Sequence, residues 1–159
     1  MSVRIGIGYD IHRFGGSRPL MLGGVAIPHN KGLEGHSDAD VLLHAIIDAL
    51  LGAAALGDIG QHFPSDDPIY RNADSRDLLA RTLALVQEQG YRVANVDATV
   101  VAERPRLTSH IPSMRQSIAQ LLAVTVGDVN VKATTNDRLD AVGRVAGIAA
   151  FAVALLSKT

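Results

Sequence analysis

Apolar and polar residues alternate across residues 4–9 around Ile5 and Ile7, and this period of two predicts a strand. Leu20–Leu22 and Val25–Ile27 flank Gly23 and Gly24, a pair that supplies positive φ without a Cβ clash and so predicts a tight hairpin. Residues 39–56 are rich in Ala and Leu and predict a long helix. Ser37 followed by Asp40 resembles a capping box ahead of it, and Gly57 suits its C-terminal end. Residues 58–72 are polar, contain Pro64 and Pro68 and lack a period, which predicts a loop covering a substrate. A second helix is predicted from Asp74 or Ser75 to Gln89, with Gly90 as its stop. Residues 92–102 and 129–133 read as strands, with a third helix starting near Ile111, capped by Ser109 and tolerating Pro112 in its first turn. Residues 146–156 are almost wholly apolar and satisfy both periods, with propensity leaning helical.

Strands mixed with helices, opening on a hairpin, indicate an α+β fold: a mixed β-sheet with helices packed on one face. No linker, repeat or biased segment divides the chain, so residues 1–159 form one domain. A sheet covered on one face leaves the other to be buried by self-association, and the apolar stretch near the C-terminus has little interior to enter in so small a domain.

Composition narrows the chemistry. A formal charge of -1 gives no footprint for general nucleic-acid binding. The chain has no cysteine, which removes disulfides, thiolate metal sites and a thiol nucleophile, so any metal sits on His, Asp or Glu. The N-terminus shows no secretion signal, and the longest apolar run falls short of the ~20 residues that span a bilayer. No membrane partner and a cytoplasmic location are expected.

Asp10 and His12 stand two apart in the first strand, so their side chains leave the same face. Such a pair is also ordinary turn chemistry, and His44 in an apolar helix also reads as a satisfied core residue. Together, however, one carboxylate and two imidazoles make a three-ligand zinc set with an open fourth position. Asp40 lies one turn before His44, where it could orient the imidazole or contact substrate. His36 and Ser37 precede the helix, where free N–H groups attract phosphate. The hydroxyls of Thr134 and Thr135 follow an apolar strand, with Asp137 available to a hard cation, and Arg104 and Arg106 lie in a loop suited to phosphate.

These segments occur in one order: Gly6-Ile-Gly-Tyr-Asp10-Ile-His12-Arg-Phe14, Leu22-Gly-Gly-Val25, the run from Gly35 through His-Ser-Asp-Ala-Asp to His44, Asp58-Ile-Gly60 with Phe63-Pro64, His110-Ile-Pro112, and Val131-Lys-Ala-Thr-Thr135. In that order they resemble the 2-C-methyl-D-erythritol 2,4-cyclodiphosphate synthases of the non-mevalonate isoprenoid pathway, over essentially the whole chain. The resemblance implies a homotrimer with its sheets around the threefold axis, active sites between subunits, and a strand at residues 147–156. It implies zinc on Asp10, His12 and His44, and magnesium or manganese on Asp137 with the substrate diphosphate. His36 and Thr135 become transition-state stabilisers. Substrate contacts fall on Asp10, His12, His36, Ser37, Asp40, Asp58, Ile59, Gly60, Phe63, Pro64, Ser65, Asp66 and Asp67 for the methylerythritol part. For the cytidine diphosphate they fall on Ala102, Arg106, Leu107, Thr108, Ala133, Thr134, Thr135 and Asp137, with Arg144 in the same set.

The chain departs from the family pattern at two of these positions and at two others. Asp137 stands for the usual Glu and Arg106 for the usual Lys. Ala141 and Ala146 stand for Phe and Glu, which in relatives line a central cavity able to hold an isoprenoid diphosphate, so regulation by such a ligand is not expected here. Two other readings compete with the cyclising lyase. One is a zinc phosphohydrolase acting on a nucleoside diphosphate ester; the other is a non-catalytic trimer that binds isoprenoid diphosphates.

Overall fold

The computed structural model describes residues 2–159. Seven strands are formed among these residues: β1 (Val3–Gly15), β2 (Leu20–Leu22), β3 (Val25–Ile27), β4 (Gly32–Leu33), β5 (Tyr91–Val101), β6 (Val129–Thr134) and β7 (Gly147–Lys158). The helices are α1 (Val41–Ala53), α2 (Ile59–His62), α3 (Ser75–Glu88), α4 (Ile111–Leu122) and α5 (Asp140–Gly143). Strands β4-β1-β7-β5-β6 make one mixed sheet in that order, parallel only between β5 and β6, and β2 with β3 form the hairpin. Gly23 and Gly24 both take positive φ, as a two-residue turn of this hand demands.

The seat of α1 decides the rest. Gly6 and Gly8 face it from β1, and a Cβ on Gly8 would lie 1.8 Å from the Ala45 carbonyl oxygen. On Gly6 a Cβ would lie 2.0 Å from the Ala49 carbonyl oxygen. Helix backbone therefore rests directly on strand backbone, with Ala45 and Ala49 one turn apart along the contact. Asp10 and His12 continue the same face of β1, so the helix that lies on the glycines carries His44 toward them. Gly8→Ala should force α1 away from β1 and lower stability by about 1–3 kcal/mol. A denaturation midpoint equal to the parent's would contradict this packing.

Several boundaries differ from the sequence expectation. Helix α1 starts at Val41, not at residue 39, and Asp40 caps it through the N–H of Leu43, at 3.0 Å. Ser37 is not the cap. The helix ends at Ala53, and the left-handed residue that directly follows its C-cap is Ala55, with Gly57, also at positive φ, two residues further on. Ser109 lies inside a short 3-10 turn, Thr108–His110, and α4 has no side-chain cap. Residues 58–72 are built rather than structureless. Asp58 caps α2, and Asp67 caps a 3-10 turn at Pro68–Tyr70. Residues 147–158 form a strand, against the helical lean of their propensity. Ala150, Ala152 and Ala154 are buried beneath α1, while Phe151 and Val153 point away and remain exposed. Tertiary packing outweighs local propensity here.

The face of the sheet opposite α1 is apolar across β1 and β7. Ile5 and Ile7 are each 71% exposed, and in register they pair with Leu155 and Val153. Tyr9 pairs with Phe151, their rings 4.9 Å apart. Toward β5 and β6 the same face turns polar, with Lys132 bridging to Asp97 at 2.5 Å. No helix among the described residues is long and apolar enough to cross a membrane.

Candidate active site

Asp10 and His12 from β1 meet His44 from α1 in one cluster whose ligand atoms all lie within 4.8 Å of one another. Asp10 Oδ2 is 2.8 Å from His12 Nε2 and 3.1 Å from His44 Nδ1, and the two imidazole nitrogens are 3.3 Å apart. The outer nitrogen of His12, Nδ1, lies 2.7 Å from the Glu34 carbonyl oxygen. A carbonyl only accepts, so Nδ1 carries a hydrogen, and in the neutral ring Nε2 presents its lone pair inward. Acceptor atoms thus crowd one small space, where a proton or a metal cation offsets their mutual repulsion. Their number and donor types suit a tetrahedral metal with one free position.

Ionisation at the cluster follows the same logic. Burial opposes charge on Asp10, but hydrogen bonds from His12 and His44, with their charge, prevail and hold its carboxyl at about 2. Burial also opposes charge on His12, yet the hydrogen bond and charge of Asp10 raise it above the ordinary histidine value. In the metal-free protein the His12 contribution is complete at acidic pH and lost as pH rises through the raised value. The Asp10 contribution is present above the ordinary carboxylate value and lost as pH falls through about 2. A metal must displace the proton from His12, so metal affinity should fall about tenfold per pH unit below its titration. A chelator-competition series measures this, and a profile flat from neutrality to pH of about 5 would contradict metal binding at His12.

A cavity of about 250 Å³ opens onto the cluster. It gathers Asp10, His12, His36, Ser37, His44, Ile59, Gly60, Phe63 and Ser65 of the residues expected from sequence, and adds Tyr70 and Leu78. Tyr70 packs edge-on against Phe63, ring centres 5.5 Å apart, and so shapes the wall. His36 donates from Nε2 to the Asp67 carbonyl at 2.8 Å, tying the cavity floor to the segment above it. Arg18 holds that floor from below, donating to the carbonyls of Gly35, at 2.6 Å, and Ser37. No local sequence pattern marks Arg18, because its partners are backbone carbonyls 17 and 19 residues away.

Asp40 sits at the start of α1, next to the β2–β3 turn. It is fully buried, and its carboxylate accepts the N–H groups of Gly23, Gly24 and Leu43 at 2.7–3.0 Å. Burial pushes its carboxyl up, against those same hydrogen bonds. It locks the β2–β3 turn to the start of α1. The group at His44 is instead serine: Nε2 is 2.9 Å from Ser75 Oγ and 3.1 Å from Ser37 Oγ.

The remaining expected residues lie elsewhere. Ala102, Arg106, Leu107, Thr108, Ala133, Thr134, Thr135 and Arg144 line a second cavity of about 690 Å³, together with Glu103, Arg104 and Arg138. Asp137 stands exposed beside it in a left-handed turn, its N–H donating to Thr135 Oγ1 at 3.2 Å. One row of the sheet runs Asp10, Ala150, Val100, Ala133 in register. Three strand spacings, about 14 Å, therefore separate the two groups within one chain.

The sequence profile of the YgbB family matches residues 3–157. The chain belongs to the YgbB family. A protein named 2-C-methyl-D-erythritol 2,4-cyclodiphosphate synthase from Pseudomonas aeruginosa is 61% identical over 97% of this YgbB chain and 98% of its own length. One of the same name from Porphyromonas gingivalis is 58% identical over 96% and 94%. Among solved structures, the bifunctional IspDF of Campylobacter jejuni aligns at TM-score 0.96 and 41% identity, over 99% of this chain. This chain spans only 43% of that protein. The Plasmodium falciparum IspF–CDP complex aligns at TM-score 0.86 and 32% identity, over 99% of this chain and 97% of that one. The α+β fold of the YgbB chain is thus shared across its length.

Proposed function

We propose that this chain converts 4-diphosphocytidyl-2-C-methyl-D-erythritol 2-phosphate into 2-C-methyl-D-erythritol 2,4-cyclodiphosphate and CMP, as a cytoplasmic phosphorus–oxygen lyase of non-mevalonate isoprenoid synthesis. The observation that carries the reading is the convergence of Asp10 Oδ2, His12 Nε2 and His44 Nδ1, in a chain 58–61% identical to proteins of that name. An oxygen of the 2-phosphate attacks the β-phosphorus, the bond from that phosphorus to the bridging oxygen of CMP breaks, and the electron pair leaves with CMP. No water is consumed. Asp10, His12 and His44 would hold zinc, which would supply Lewis acidity at the β-phosphate, and Asp137 would hold magnesium or manganese, which would offset diphosphate charge.

The protein's own task is orientation and water exclusion, which dominate phosphoryl transfer. Asp58, Ile59, Gly60 and the segment from Phe63 to Asp67, with Pro64, Ser65 and Asp66, enclose the methylerythritol part. His36 and Ser37 face the reacting phosphates from the cavity floor. Thr135 approaches from the second cavity, where Ala102, Arg106, Leu107, Thr108, Ala133 and Thr134 hold the cytidine diphosphate and Arg144 flanks it. Because that cavity is about 14 Å away within the chain, it serves a neighbouring subunit. We infer a homotrimer whose sheets meet through the apolar face of β1 and β7, which is larger than solitary chains usually leave bare. This assembly is supported by the exposure of Ile5 and Ile7 and by the division of the site between two cavities.

Incubation of purified protein with the diphosphocytidyl substrate and magnesium tests the reading. Cyclic diphosphate with stoichiometric CMP is expected. Linear phosphates would instead establish a phosphohydrolase in which water is the nucleophile.

A further inference from the structure

We propose that Ser75 and Asp38 are positioning residues for His44: Asp38 holds the Ser75 hydroxyl so that its oxygen accepts Nε2–H of His44, leaving Nδ1 as the inward ligand atom. The proposal rests on the reading of Asp10, His12 and His44 as a metal centre. Ser75 is fully buried at the first turn of α3, after the capping residue Asp74. Its Oγ lies in hydrogen-bond contact with Asp38 Oδ1 and 2.9 Å from His44 Nε2. A carboxylate only accepts, so the single hydroxyl hydrogen goes to Asp38. The serine oxygen then has only lone pairs to offer the imidazole, and it draws the ring hydrogen to Nε2 at 2.9 Å, in competition with Asp10 Oδ2, which stands 3.1 Å from Nδ1.

Ser37 does not impose this choice. Its oxygen, 3.1 Å from Nε2, accepts the N–H of Ala39 at 3.2 Å, while its own hydrogen is not committed to a carboxylate. Asp38 is itself fixed. Its Oδ2 accepts the N–H of Ser75 at 3.1 Å, and its Oδ1 accepts that of Asp40 at 3.2 Å. The two strands of chain are also bound through backbone, Asp38 N–H to the Ala73 carbonyl at 2.9 Å and Asn72 N–H to the His36 carbonyl at 2.7 Å. Glu34 does the same work for His12 with a backbone carbonyl, whereas at His44 it depends on two side chains. The segment that roofs the cavity therefore ends on the residue that sets the tautomer of a ligand.

The test compares parent, Ser75→Ala, Asp38→Ala and the double variant, each checked for folding by thermal denaturation. Long-range ¹H–¹⁵N spectra of metal-free protein, recorded above the histidine titration range, should show His44 as the Nε2–H tautomer. Ser75→Ala should mix the tautomers and weaken zinc affinity about 10- to 100-fold by chelator competition. Asp38→Ala should weaken it too, and add nothing in the Ser75→Ala background, since it acts through Ser75. An Nδ1–H tautomer in the parent, parental tautomer and zinc affinity in folded Ser75→Ala, or additive effects in the double variant would overturn the proposal. Should Ser75→Ala not fold, the parental tautomer alone decides. Should the parent take up no zinc, the metal reading fails separately, and the tautomer still decides the relay.

Discussion

His44→Ala is expected to lower CMP release by about a thousandfold and to strip the metal, while the protein still folds and assembles. The imidazole is one of three converging donors, and two remaining donors cannot keep a tetrahedral ion with a free position. Loss of a Lewis acid at the reacting phosphate removes several kcal/mol of transition-state stabilisation, and about 4 kcal/mol corresponds to that factor. The fold is affected far less. Truncation leaves the hydroxyls of Ser37 and Ser75 without their imidazole partner, at about 1–3 kcal/mol. Metal analysis, CMP release and mass in solution are read on one preparation. Near-parental turnover in metal-depleted His44→Ala protein would remove the metal from the mechanism.

The second large effect concerns assembly. Ile7→Glu places a charge on the bare apolar face of β1. The side chain is 71% exposed in the single chain, so its replacement should leave the subunit folded. In an interface the same charge costs several kcal/mol at each contact, and symmetry repeats the penalty. Subunits should therefore separate and CMP release should vanish, with zinc still bound. Retained activity in a monomeric Ile7→Glu protein would show that one chain suffices.

Mixing variants sharpens this prediction. His44→Ala damages one cavity and Thr135→Ala the other. If each active site draws its two halves from different subunits, equal amounts dissociated and reassembled together give both halves intact in about a quarter of sites. If both halves came from one chain, no intact site could form. Recovery near a quarter of parental activity is expected, and recovery of none would refute the shared site.

Much of the donor set was legible along the chain because strand periodicity is local. Asp10 and His12 share a face by their spacing alone. The hairpin at Gly23-Gly24 and the strand at Val129–Thr134 likewise follow from neighbouring residues. Capping was less legible. Ser37 and Asp40 both carry good capping side chains, and the choice fell to Asp40 because the turn at Gly23 and Gly24 adds two further donors to its carboxylate. No spacing near residue 40 reveals those donors.

By itself the sequence determined the periods of strand and helix, the absence of thiol chemistry, the donor types available to a metal and, through motif order, the family. Tertiary structure decided that residues 147–158 extend beneath α1 although their alanines favour a helix, because burial across a sheet outweighs a few tenths of a kcal/mol per residue. It also decided that serine rather than Asp40 stands at His44, and that Thr135 lies three strands from Asp10. Those outcomes depend on contacts between residues far apart in the chain, which local pattern does not encode.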